Sequence, residues 1–254
     1  MAHSRLTSWE QRDAVPAPET PSQPPQVPHP WQLPEQGLAV FHGSGETVRL
    51  SHYFLPRLLL SGKRVLFLDG ANCADPRLIA RFAHERGMDF RAFSRQIRIA
   101  RAFTCFQLTE LITRVPGFLQ DFATDVLMVT AVPELYFDED VRDWDAGVAF
   151  RQALAGLRRA SGVPGAAAGD RRTAQTSPLD RGDETDKDPQ PERPLTVAVF
   201  TAAPTFQPPP TRARFFAEIC AAATEVWQFQ HGTDGHLSLA RSSSPRHSSL
   251  VTCH

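Results

Sequence analysis

"GLAVFHGSGETVRLSH", residues 37–52, opens on an apolar run of strand length and breaks at Gly43-Ser44-Gly45, the composition of a strand that turns directly into a helix. A phosphate-binding loop reads GxxxxGK[ST] at such a junction: backbone N–H groups cradle phosphates, the lysine neutralises them and the hydroxyl holds magnesium. Here Gly45, Glu46 and Thr47 take the last three places, so an acid stands where the cation belongs. The first glycine of the pattern would fall at Val40, unless Gly43 plays that part in a loop two residues shorter. A carboxylate about 4 Å from a polyphosphate is repelled by roughly 4 kcal/mol at an effective dielectric of about 20, which forfeits roughly three decades of affinity. Two readings of Gly43, Ser44, Gly45, Glu46 and Thr47 follow: a turn without a ligand, and a residual nucleotide site.

Three further runs, "RVLFLDG" at 64–70, "DVLMVTA" at 125–131 and "LTVAVFT" at 195–201, have the continuous apolar character of central parallel strands. Helical spacing separates them. Leu108, Leu111, Ile112, Val115, Leu119 and Phe122 recur at three and four residues, with Pro116 expected to kink that helix, and Phe150, Leu154 and Leu157 repeat the pattern. Residues 212–223 carry Phe215, Phe216, Ile219 and Cys220 on one side, and "EVWQFQHGTDGHLSLARS" at 225–242 reads as a β-hairpin around Gly-Thr-Asp-Gly. Strand alternating with helix predicts an α/β fold: a mainly parallel sheet with helices on both faces and a C-terminal antiparallel hairpin.

The chain of 254 residues, 41% hydrophobic, can bury one good-sized core. Residues 1–30 hold seven prolines and little aliphatic periodicity, and residues 161–194 are polar, mixed in charge and proline-bearing. Both read as disordered, the first as an arm and the second as an insertion, leaving a core of 31–160 with 195–245 and a flexible tail at 246–254. A net charge of −1 excludes bulk electrostatic recruitment to nucleic acid or membrane. No apolar run approaches the roughly 20 residues that span a bilayer, and the N-terminus lacks the apolar core of a signal peptide. A cytoplasmic protein without membrane contact is expected. Cys73, Cys105, Cys220 and Cys253 are too widely spaced to signal a disulfide framework or zinc, and read as buried thiols.

Residues 65–112 carry more than a strand pattern. Asp69 ends a strand, Pro76, Arg77 and Leu78 open a helix, Gly87 precedes another strand, and "IARAFTCFQLTELI" runs from that strand into a helix. In order and spacing this resembles the RecA/RadA recombinase family, in its archaeal and eukaryotic branch, over roughly residues 37–160 and 195–245. The resemblance implies a RecA-like core, and it also implies losses. The family's glutamate that activates the attacking water would fall near Ala71, and its second acidic motif, which supports magnesium, at Thr130 or Ala131. The polar tip of the following strand would lie near Thr201 to Ala203. Lysine, base and metal support fail together, which implies a pseudo-ATPase. The family's aromatic tether for self-assembly is also reduced here to "HPWQLPEQGL" at 29–38, where Trp31 is either a docking anchor or packed under its own domain.

Two stretches are rich in charge. Arg77, Arg81, Arg86, Arg91, Arg95, Arg98 and Arg101 set seven arginines against two acids between 77 and 101, a candidate nucleic-acid or partner surface whose plain alternative is a solvated face. Glu134, Asp138, Glu139, Asp140, Asp143 and Asp145 read as a solvated acidic loop that repels DNA. His42 beside the glycine turn is a candidate phosphate contact, while Ser44 forms no recognisable nucleophile and base pair. The expected function is a non-catalytic accessory protein of DNA recombination or repair. On this reading a protein partner such as a recombinase or repair protein is expected, DNA binding is weak or indirect, and no cofactor is needed. The alternative is an ATP-binding recombinase-like ATPase with an atypical loop, completed by a partner subunit and using ATP and magnesium.

Overall fold

A computed structural model describes residues 33–163, 194–203, 208–231 and 237–242. The expected arm, most of the expected insertion, Trp31, Cys253 and the turn of the hairpin lie outside these residues.

The four apolar runs form β1 (Gly37–Gly43), β2 (Val65–Asp69), β4 (Val126–Thr130) and β5 (Thr196–Ala202), and "IRIAR" forms β3 (Ile97–Arg101). With β6 (Glu225–His231) and β7 (Leu237–Ser242) they make a seven-stranded sheet in the order β3-β2-β4-β5-β1-β6-β7. All neighbours are parallel except β6 and β7, which pair antiparallel. The protein is a mixed α/β fold with helices on both faces of the sheet and an antiparallel hairpin at one edge.

Crossover handedness sorts the helices. The connections that follow β1 and β2 step towards β3, and those that follow β3, β4 and β5 step the other way. Right-handed crossovers therefore place α1 (Thr47–Leu60), α2 (Pro76–Glu85) and α3 (Phe90–Ser94) on one face. The opposite face receives α4 (Cys105–Thr113), α5 (Val115–Asp121), α6 (Asp143–Ser161) and α7 (Phe215–Ala222). A 3₁₀ turn at Glu134–Phe137 links β4 to α6.

The two cores follow from strand alternation. Ala39, Phe41, Val65, Phe67, Met128 and Phe200 point to α1–α3, where Phe41 stacks on Phe200 at 4.9 Å and Phe54 of α1 meets both rings. Leu38, Val40, Leu66, Leu68, Leu127, Val129, Val197 and Val199 point to α4–α7, where Phe150 of α6 stacks on Phe215 of α7 at 4.3 Å. Each face seals one layer of helices. Pro116 does not kink a long helix as expected. The chain breaks at Arg114, which ends α4 and precedes α5, because a proline at the second position of a helix lacks only an N–H that has no partner there. Among the described residues no helix is long and apolar enough to cross a membrane.

Candidate functional site

In open parallel sheets, ligands settle outside the carboxyl ends of the strands where the chain reverses its direction of travel. The glycine turn lies at such a place, because β1 sends its helix to one face while its neighbour β5 sends its helix to the other.

Only Ser44, Gly45 and Glu46 separate the last residue of β1 from the first of α1. Thr47 N–H donates to the Ser44 carbonyl at 2.9 Å, which closes a tight turn. A phosphate-cradling nest needs successive N–H groups turned inward by left-handed backbone. Among the described residues the left-handed positions are Gly37, Gly62, Gly87, Gly162, Asn72 and Ala131, and none lies in the turn. Gly43 is required for closeness: a Cβ there would sit 2.6 Å from Thr47 Oγ1 and 2.9 Å from the Phe229 carbonyl oxygen. A Cβ added at Gly45 would meet nothing within 4 Å, and the backbone there is ordinary, so neither packing nor conformation demands a glycine. Glu46 turns outward and lies 3.6 Å from Arg49, both well exposed, so its repulsion of an anion is screened rather than focused. Thr47 keeps a feature of a ligand site, since its buried hydroxyl has no hydrogen-bond partner among the described residues, and the buried Nδ1 of His42 shares it.

The neighbouring strand ends are occupied by the protein itself. Register places Arg101, Asp69 and Thr130 side by side on β3, β2 and β4, all on the α1 face. Asp69 is fully buried, and its carboxylate accepts from Cys73 N–H at 3.0 Å, Ala74 N–H at 2.8 Å and the Thr130 hydroxyl at 3.2 Å. Arg101 Nε lies 3.7 Å from the same carboxylate, and its guanidinium donates to the Ala74 carbonyl at 2.6 Å. Thr130 Oγ1 in turn accepts from Ala71 N–H at 3.1 Å, so both roles of the hydroxyl are filled. Asp69 thereby folds the 70–75 loop and delivers Asp75, the N-cap of α2, to the His52 ring, whose Nε2 accepts from Asp75 N–H at 3.2 Å. Farther along the row the register position beside Thr130 is Phe200, followed by Phe41. Where a metal would sit, the sheet offers a satisfied carboxylate, a committed hydroxyl and two aromatic rings.

On the other face, Glu134 accepts from the Thr201 hydroxyl at 2.7 Å and from Ala202 N–H at 2.5 Å. It is half-buried, a correction to the solvated acidic loop expected for 134–145: the 3₁₀ turn bends back and presses its carboxyl onto the end of β5. Burial pushes the carboxyl from its ordinary 4.5 up to about 7, against the downward pull of the Thr201 and Ala202 hydrogen bonds. A folded-state value above the unfolded one means that the native protein holds the proton more tightly. Stability contributed below about pH 4.5 is therefore lost as pH rises through 7. Denaturant titrations should show a decline of up to about 3 kcal/mol across this window, and Glu134→Gln should flatten it.

The same acidic segment is clamped by Arg212, which is 2% exposed. Its guanidinium donates to Asp143 at 2.7 Å, to the Asp138 carbonyl at 2.6 Å, to the Tyr136 carbonyl at 3.2 Å and to the Val141 carbonyl. Asp145 pairs with Arg142 at 2.7 Å. His42 faces α7, edge-on to Phe216 at 5.3 Å, and burial lowers its pKa.

The arginine stretch divides. Arg101 belongs to the Asp69 network, Arg98 lies over the Phe122 ring at 4.7 Å, and Arg81 is 3.5 Å from Glu85. Arg77 and Arg81 lie on α2, Arg91 on α3, and Arg95 caps α3; all are exposed, as are Arg86, Arg98 and Arg101. Cys105 and Cys220 are buried as expected and Cys73 is half-buried; burial raises the thiols of Cys73 and Cys220 to about 12 and that of Cys105 upward, which disfavours the thiolate. Among the described residues no group of three or more His, Cys, Asp or Glu side chains is placed to hold a metal ion. A cavity of about 550 Å³ lies at the opposite, amino end of the strands, between Phe54, Arg57, Lys63, Asp125 and Leu195, and Leu33, Pro34 and Glu35 of the 29–38 stretch also line it. No protein-family model matches the chain, and no curated protein matches it.

Proposed function

We propose that this protein acts by binding another protein and performs no nucleotide chemistry, as a non-catalytic accessory protein on a RecA-like frame. The observation that carries this reading is the row Arg101–Asp69–Thr130, whose polar atoms bond to one another and to the 70–75 backbone. A catalytic site keeps polar groups open towards substrate, whereas this one uses them to build a loop. The turn at 43–47 supports the same reading through its length and its lack of a nest. A role in DNA recombination or repair rests on the sequence resemblance alone. On this reading the protein needs no cofactor and works in the cytoplasm.

One observation favours the second reading, an ATP-binding relative completed by a partner subunit: the buried, unpartnered Thr47 hydroxyl at the start of α1, where a magnesium ligand would stand. Thermal unfolding with magnesium and ATP separates the two. A working site with ATP at about 100 times its dissociation constant adds roughly 2.7 kcal/mol, and we expect no shift at millimolar ATP. A saturable rise in melting temperature sinks the non-nucleotide reading.

A further inference from the structure

We infer that the exposed aromatic surface at the start of α4 and the start of α6 docks a basic, leucine-bearing segment of a partner protein; this deepens the protein-binding reading above and rests on it. Phe103 is 64% exposed, Phe106 50% and Trp144 74%. Aromatic side chains of this size are rarely left in water without a use, because each buries roughly 150–250 Å² when covered. Phe106 and Trp144 flank a groove of about 200 Å³ between the two helices, so the surface is concave. It is also rigid: α4 is tied through the Thr109 hydroxyl to Tyr136 at 2.9 Å and to the Ala149 carbonyl of α6 at 3.2 Å. Preformed aromatic anchors on packed helices supply binding energy at small ordering cost.

The charge beside the groove selects the partner. Asp138, Glu139 and Asp140 are exposed and make no ion pair among the described residues, in contrast to Asp143 and Asp145. Arg212 fixes the backbone that carries them by gripping the Asp138 and Val141 carbonyls. Asp140 precedes Trp144 by four residues, in the segment that leads into α6. The other acids at the groove, Glu110 and Asp145, are already matched by Arg114 and Arg142. Three unmatched acids against the exposed Arg151 that shares a pocket with Trp144 leave the charge negative, next to a Trp ring that accepts a cation on its face. Nucleic acid is disfavoured, because single-strand sites combine stacking rings with a positive groove, and this one would repel phosphates.

The test uses the full chain and two labelled probe peptides that present leucine on one helical face and either lysine or glutamate on the other, read by fluorescence anisotropy at physiological salt. The leucine–lysine peptide should bind and the leucine–glutamate peptide should not. Trp144→Ala and the double change Glu139→Lys with Asp140→Lys should each weaken binding by about tenfold or more, with melting temperatures unchanged because these side chains are exposed. Absence of binding by the lysine peptide, equal binding of both peptides, or indifference to Trp144→Ala overturns the inference. A single-stranded oligonucleotide that binds the wild type and loses its affinity in Trp144→Ala overturns it in favour of nucleic acid. The thermal response to ATP keeps the two levels apart: failure of the peptides without an ATP response removes this surface alone, while an ATP response removes the reading beneath it.

Discussion

Arg212→Met is expected to destabilise the protein by about 3–5 kcal/mol, a fall in melting temperature of about 10 °C or more. The cause is the number of groups that depend on one buried guanidinium. It donates to the carbonyls of Tyr136, Asp138 and Val141 as well as to the Asp143 carboxylate. Methionine fills similar volume, so the experiment removes the donors without opening a large cavity. Each enclosed carbonyl left without a partner costs about 1–3 kcal/mol. Arg212→Lys should fall between, since an ammonium has fewer donors and no planar fork to span several acceptors. A loss below about 1 kcal/mol for Arg212→Met would mean that the link from β4 to α6 is held by other contacts.

Asp69→Ala should be comparably severe, about 3–5 kcal/mol, and its sign separates two views of the residue. Two backbone N–H groups, of Cys73 and Ala74, and the Thr130 hydroxyl donate to this carboxylate. Hydrogen bonds to a charged acceptor contribute about 1.5–3 kcal/mol each, and alanine leaves these donors enclosed without partners. A carboxylate kept for catalysis behaves differently: its removal relieves a buried charge and commonly leaves the unliganded fold as stable or more so. Asp69→Asn should lose less than Asp69→Ala, because one oxygen remains to accept. Equal or higher stability for Asp69→Ala would return Asp69 to the functional acids.

Several parts of this molecule are legible in the chain. Buried parallel strands are continuous apolar runs, so β1, β2, β4 and β5 stand out, and the alternation with helices dictates the α/β class. β3 is visible only through the family resemblance, because an edge strand whose residues are half-covered or exposed mixes Ile97, Ile99 and Ala100 with Arg98 and Arg101. The pairing of Asp69 with Thr130 spans 61 positions and exists only through sheet register, which no local pattern encodes. Glu134 sits in an acidic run and reads as solvated; its contact with Thr201 depends on the turn after β4 folding back onto β5. Arg212 carries no signal in the sequence, since an arginine after prolines, with Arg214 two residues on, resembles any surface residue. The departure of the glycine turn from a working loop is legible, while the fate of Glu46, turned outward to Arg49, requires the structure.

The proposal that this protein does not hydrolyse nucleotides is probed most sharply by Glu46→Lys. The substitution places the missing cation at the start of α1 and removes the acid, so any latent nucleotide site gains an attraction and loses a repulsion. Hydrolysis needs in addition a positioned water and supported magnesium, and Ala71 and the committed Thr130 hydroxyl provide neither. Steady-state phosphate release from purified Glu46→Lys protein with magnesium and ATP should stay at background, whether or not ATP now stabilises the fold. Sustained turnover in this single variant would show instead that the fold retains an ATPase site silenced by one residue.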